Sequence, residues 1–201
     1  MDYLIFVAAM VVGLSVVRLT YERRRIALLA TFLGRYQIEK LMATLSDGYM
    51  RALGESDPQR QQQVWDFLHA SETRLCTEFG QFAAAIAKAD AADTRVSTLP
   101  VALPWGDRLF PQASFDLRQA LAIHARGICA AVSDYPQESA KDRAYRLSAE
   151  MLLMQHTCHW YCKSKAVASA RMMVRHKTQY AQLLKAVGAQ TARDYQALVG
   201  A

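Results

Sequence analysis

The chain has 201 residues, 52% hydrophobic and 21% charged, with 9 Gly, 5 Pro and a formal net charge of +6. That composition describes one globular domain, or one domain with an appendage, and excludes a disordered, collagen-like or low-complexity chain. Glycine and proline are too sparse to interrupt helices often, so an all-β protein is excluded as well.

Residues 3–17, YLIFVAAMVVGLSVV, carry no charge, and after Arg18 the next charge is Glu22. A bilayer core roughly 30 Å thick needs about 20 helical residues, and Arg18 can reach the headgroups along its own methylenes. Only Met1 and Asp2 precede the run, and Arg23, Arg24 and Arg25 follow it. A cleaved export signal would have the reverse charge order and a small-x-small cleavage site. Residues 1–21 are therefore expected to be an uncleaved single-pass anchor. The membrane-proximal arginines Arg18, Arg23, Arg24 and Arg25 place the N-terminus outside and the bulk of the chain in the cytoplasm, at a bacterial inner membrane, and favour contact with anionic lipid. In that compartment the four cysteines are expected to be reduced thiols.

From residue 22 onward the apolar spacing is helical, and the expected architecture is all-α: an anchor continuous with an up-and-down four-helix bundle spanning 22–201. The first helix is read over 22–53. Ser56-Asp57-Pro58 supplies an N-cap and a first-turn proline for a second helix over 58–92. Pro100, Pro104 and Pro111 then exclude helix and central strand over 93–114. That loop is apolar, with Val101, Leu103, Trp105, Leu109 and Phe110, and reads either as a cover over the end of the bundle or as a docking surface for a partner or the bilayer. A third helix is expected over 115–134, ended by Tyr135-Pro136. A fourth opens with the Ser139 and Asp142 capping pair and meets no proline or glycine before Gly188, giving 139–187, with a short tail helix over 192–199.

Those lengths conflict. A third helix of about 30 Å cannot be matched by a fourth of about 75 Å without the fourth meeting the membrane. A break between 162 and 169, or an overhang covered by a partner, removes the conflict.

Charge is unevenly spread: net +3 over 1–40, −3 over 41–150 and +6 over 151–201. No acid lies between Glu150 and Asp194, whereas Lys163, Lys165, Arg171, Arg175 and Lys177 all do. This stretch is read as a docking surface, together with Trp105, Leu109 and Phe110, or as a complement to the acidic middle of the bundle. Nucleic acid is disfavoured, because the basic residues alternate with Ala, Met and Ser and match no reader motif.

Chemistry-bearing clusters are few. His156, Cys158, His159 and Cys162 lie within two helical turns and offer soft metal ligands, with Cys129, His124 or the His69, Glu72, Cys76 trio as a second half. Cys158 and Cys162 also fall on the apolar stripe of Met151, Met154 and Leu184, where they are ordinary small core residues. His124-Ala-Arg126-Gly127 resembles the phosphoacceptor motif of histidine phosphotransfer domains, but its basic residue and glycine each come one position early, so a packed histidine is expected. Glu-x-x-His pairs, phosphate-binding glycine loops and nucleophile elbows are absent from the sequence.

The functional expectation is a non-catalytic accessory, scaffold or recruitment subunit of an inner-membrane assembly. It needs no cofactor or small-molecule substrate, and has a protein partner or a second copy as its companion. The alternative is a metal- or haem-binding bundle using His156, Cys158, His159 and Cys162.

Overall fold

The computed structural model describes residues 2–99, 103–133 and 138–200. Val101 and the Tyr135-Pro136 stop lie outside them. Among the described residues the protein is all-α apart from one small ribbon, and α1 (Asp2–Leu33) is long and apolar enough to cross a membrane, with none of its most apolar stretch buried against the rest of the protein.

The helix expected over 22–53 is two helices. Gly34 ends α1, with its N–H bonded to Ala30 O at 2.9 Å, and the chain turns before α2 (Ile38–Gly54). There is no room for more than glycine, since a Cβ at Gly34 would lie 2.9 Å from Ala30 O. α3 (Pro58–Ile86) begins where the Asp-Pro pair dictates: the Asp57 carboxylate accepts from Gln59 N–H at 2.8 Å and Arg60 N–H at 3.4 Å. It stops at Ile86, short of the expected residue 92. α2 and α3 form an antiparallel hairpin, with the Tyr49 and Trp65 rings 5.9 Å apart and Leu68 seated against Gly48.

The segment expected to be free of helix and strand holds both. β1 (Arg95–Ser97) pairs antiparallel with β2 (Ser114–Asp116), Val96 opposite Phe115, and both of these are buried. Between them come α4 (Gly106–Leu109) and a single 3-10 turn at Pro111–Ala113. The prolines do not prevent this, because they fall between the two paired triplets and never inside one.

α5 (Leu117–Ser133) and α6 (Ala140–Cys162) complete the bundle with α2 and α3 around Leu45, Leu75, Phe79, Leu121, Ile128 and Leu153, each fully buried. The helix expected over 139–187 is three. α6 ends at Cys162, Lys163 leaves helical geometry, and the Ser164 hydroxyl accepts from Val167 N–H at 3.3 Å to start α7 (Lys165–His176). α8 (Tyr180–Ala186) and α9 (Ala189–Val199) follow. The chain doubles back along α6: Ser169 meets His156, and the Gly188 N–H reaches Glu150. The break inside 162–169 and this return remove the length conflict.

The expectation of four thiols is also corrected. Cys76 on α3 and Cys129 on α5 form a disulfide across the helix interface, leaving Cys158 and Cys162 free. Spacing gave no hint of it, because 53 residues separate the pair.

Candidate functional site

Where α1 leaves its apolar stretch, its polar side chains are built into the bundle. Arg18 Nε donates to Glu22 Oε1 at 3.0 Å, and Lys163 from the α6–α7 junction donates to the other carboxylate oxygen. Arg25 donates to Tyr161 O at 3.0 Å and to Arg95 O at 2.6 Å, contacts the Tyr21 hydroxyl, and lies over the Tyr21 and Tyr161 rings. Tyr21 O–H donates to Asp107 Oδ1 at 2.6 Å, with Arg25 3.5 Å from the same oxygen. A guanidinium with its donors shared among carbonyls, a phenol and a carboxylate is a fixed structural element, not a headgroup ligand. Of the four expected membrane-proximal arginines, Arg23 and Arg24 are exposed, Arg18 is exposed but paired with Glu22, and Arg25 is half-buried.

This clamp positions the aromatic loop. α4 buries Gly106 and Asp107 and turns Leu103, Trp105, Leu109 and Phe110 outward, at 43, 47, 64 and 51% exposure. Trp105 sits in the left-handed region at φ 58°, a costly backbone for a large side chain, and its ring centroid lies 6.2 Å from that of Tyr21.

The basic stretch divides in two. Lys163 is spent on Glu22, and Lys165 Nζ lies 4.9 Å from both the Trp160 and Tyr180 ring centroids. Arg171, Arg175 and Lys177 are exposed on α7 and its end, and no carboxylate pairs with them among the described residues. Val174, 71% exposed, and Met173 share that outward surface.

The His/Cys cluster does not converge. His156 is buried, with Nε2 3.0 Å from Ser169 Oγ and its ring 4.7 Å from Tyr180, and burial above all pushes its pKa down to about 4. Cys158 packs its sulfur 3.8 Å from Met154 Sδ, and burial raises its thiol far above the usual range. Cys162 is pushed up to about 11 by burial. His159 is lowered by burial and by the nearby cations Arg171 and Arg175. Protonated thiols and scattered imidazoles make a poor ligand set. Among the described residues no three His, Cys, Asp or Glu side chains gather around one point.

The other expected ligands are committed elsewhere. Cys76 and Cys129 are joined. Glu72, fully buried, accepts from Tyr49 O–H at 2.8 Å and Arg143 Nε at 3.2 Å, with His69 Nδ1 at 3.3 Å. His124 is packed as expected. Thr157 Oγ1 donates to Leu153 O at 3.0 Å and so accepts from both Tyr195 O–H at 2.8 Å and His124 Nε2–H at 2.9 Å, which assigns the Nε2–H tautomer. Burial pushes His124 down to about 3.

A second buried carboxylate was not singled out in the sequence. Glu150 Oε1 accepts from Gly188 N–H at 2.9 Å, so a side chain of α6 caps α9; burial raises its pKa against the lowering by Gly188, Thr191 and Arg146. The signal was clear for Glu72, which interrupts the buried apolar stripe of Leu68, Leu75 and Phe79, whereas Glu150 shares its buried face with the polar Thr157.

No protein-family model, curated protein or solved structure matches the chain.

Proposed function

We propose that this protein is a membrane-anchored, non-catalytic recruitment subunit, and that the face of α7 bearing Arg171, Val174, Arg175 and Lys177 receives an acidic segment of a partner protein. One observation carries the reading: the basic residues nearer α1 are absorbed by the fold, whereas these three cations stand exposed around an exposed Val174, with no carboxylate paired to them among the described residues. A cationic surface with an apolar centre suits an acidic amphipathic partner better than bulk water.

The same proposal puts the bundle on the cytoplasmic side of a bacterial inner membrane, N-terminus outward. Supporting it, Arg18, Arg23, Arg24 and Arg25 follow the apolar stretch directly.

The test is extraction of the full-length protein in mild detergent, with native mass and co-eluting proteins recorded for the wild type and for Arg171→Glu with Arg175→Glu. A stoichiometric companion with the wild type, lost in the reversed-charge variant, supports the reading. A companion retained by the variant, or a wild type that elutes alone as a monomer, sinks it.

A further inference from the structure

We infer that the loop bearing Leu103, Trp105, Leu109 and Phe110 seats in the headgroup and upper acyl region of the bilayer beside α1, fixing the tilt of the bundle over the membrane. The inference rests on the reading that α1 crosses the bilayer and goes beyond it by naming a second lipid-binding surface.

Depth is the first argument. From Tyr3 to Tyr21 an α-helix rises about 27 Å, close to a hydrocarbon core of roughly 30 Å. With Tyr3 at one boundary, Tyr21 is at the other, and the Trp105 ring, 6.2 Å from Tyr21, shares its level. The loop cannot drift from that level, because Asp107 is hydrogen-bonded to Tyr21 and ion-paired with Arg25, both on α1.

Composition is the second. Tryptophan with neighbouring arginines is the side-chain mixture favoured at a membrane–water boundary. Tyr21, Arg24, Trp105 and Arg108 line one cleft between α1 and α4, and Arg24 and Arg108 are exposed, placed to reach lipid phosphates while Leu109 and Phe110 enter the apolar layer. The third is continuity. Trp105 lies against Tyr21 and Leu103 shares a pocket with Arg18 and Tyr21, at the end of the uncovered surface of α1, whose exposed Leu14, Val16 and Leu19 already require an apolar surround.

The experiment reconstitutes the full-length protein into phosphatidylcholine–phosphatidylglycerol vesicles containing lipids brominated either high or deep on the acyl chain, and compares tryptophan emission in the wild type and Trp105→Phe. Trp65 and Trp160, at 6 and 1% exposure, are shielded by protein. The expected result is strong quenching by the high bromines, weaker quenching by the deep ones, and loss of most of that quenching in Trp105→Phe. Leu109→Ser with Phe110→Ser, both at exposed positions, should leave the circular dichroism unchanged and reduce the quenching of Trp105. Equal quenching of the wild type and Trp105→Phe, in vesicles that retain the protein through alkaline carbonate, overturns the inference while leaving the anchor intact. Release of the protein by carbonate overturns the anchor and the inference together.

Discussion

Replacing Arg143 by Met tests the buried junction of α2, α3 and α6. Glu72 has a side chain 1% exposed, held by Arg143 at 3.2 Å and by the Tyr49 hydroxyl at 2.8 Å. Removing one partner of a buried ion pair costs about 3–5 kcal/mol, because the remaining charge stays desolvated. Arg143 keeps 21% exposure and His69 stays near the carboxylate, so the lower end, about 3 kcal/mol, applies here. For a chain of this size that lowers the melting temperature by about 6–12 °C. Adding Glu72→Leu removes the stranded charge but leaves the Tyr49 hydroxyl unpartnered, worth about 1–3 kcal/mol. Adding Tyr49→Phe makes the junction apolar and should return stability to within about 1.5 kcal/mol of wild type. The assay is thermal unfolding of the full-length protein in mild detergent, followed by near-ultraviolet circular dichroism, to which the tilted Tyr49–Trp65 pair contributes. A drop under 2 °C for Arg143→Met, or a triple variant no more stable than that single one, refutes the reasoning.

Three further outcomes are expected. Gly127→Ala should destabilise by about 1–3 kcal/mol despite the gain in helix propensity, since the new Cβ would fall 2.3 Å from Thr191 Oγ1 and 2.5 Å from Glu150 Oε2; a melting temperature at or above wild type contradicts this. His124 and His156 hold pKa values of about 3 and 4, below the usual 6.5. Their contribution is therefore complete above pH 6.5 and lost as pH falls toward 4, at about 1.4 kcal/mol per unit for each histidine. Denaturant titrations across that range should show a slope shallower by about 1.4 kcal/mol per pH unit in His124→Gln, and an unchanged slope rejects the assignment. Finally, acid-trapped cells labelled with a maleimide polymer under denaturing conditions should show two reactive cysteines, Cys158 and Cys162, and four after prior reduction; four without reduction would show that the Cys76–Cys129 link does not form in the cell.

Much of the architecture is carried by short-range signals. The charge-free run at the N-terminus, the helical apolar period and the Asp57-Pro58 start are local, because a helix is made from hydrogen bonds within one segment and its caps from neighbours two or three residues away. The same locality explains the errors. Nothing between residues 139 and 187 forbids helix, and the turn at Lys163 is set by where α7 packs its buried Ala168 and Met172. The ribbon of β1 and β2 needs partners seventeen to twenty-one positions apart, so its proline-rich surroundings concealed it.

For the site, the sequence marked which residues are charged or aromatic but not which are free. Lys163, Lys165 and Arg25 look like Arg171 and Arg175 in one dimension. Only the packed structure brings Glu22, Trp160 and Asp107 beside the first three and leaves the last two to solvent. The same holds for the cysteines: the visible i, i+4 pair stays free, and the bond forms between Cys76 and Cys129. The sequence by itself determined the helical class, the apolar N-terminal span and the excess of cations near the C-terminus. Tertiary structure decided which of those charges have partners, because pairing depends on distances between elements that no single segment encodes.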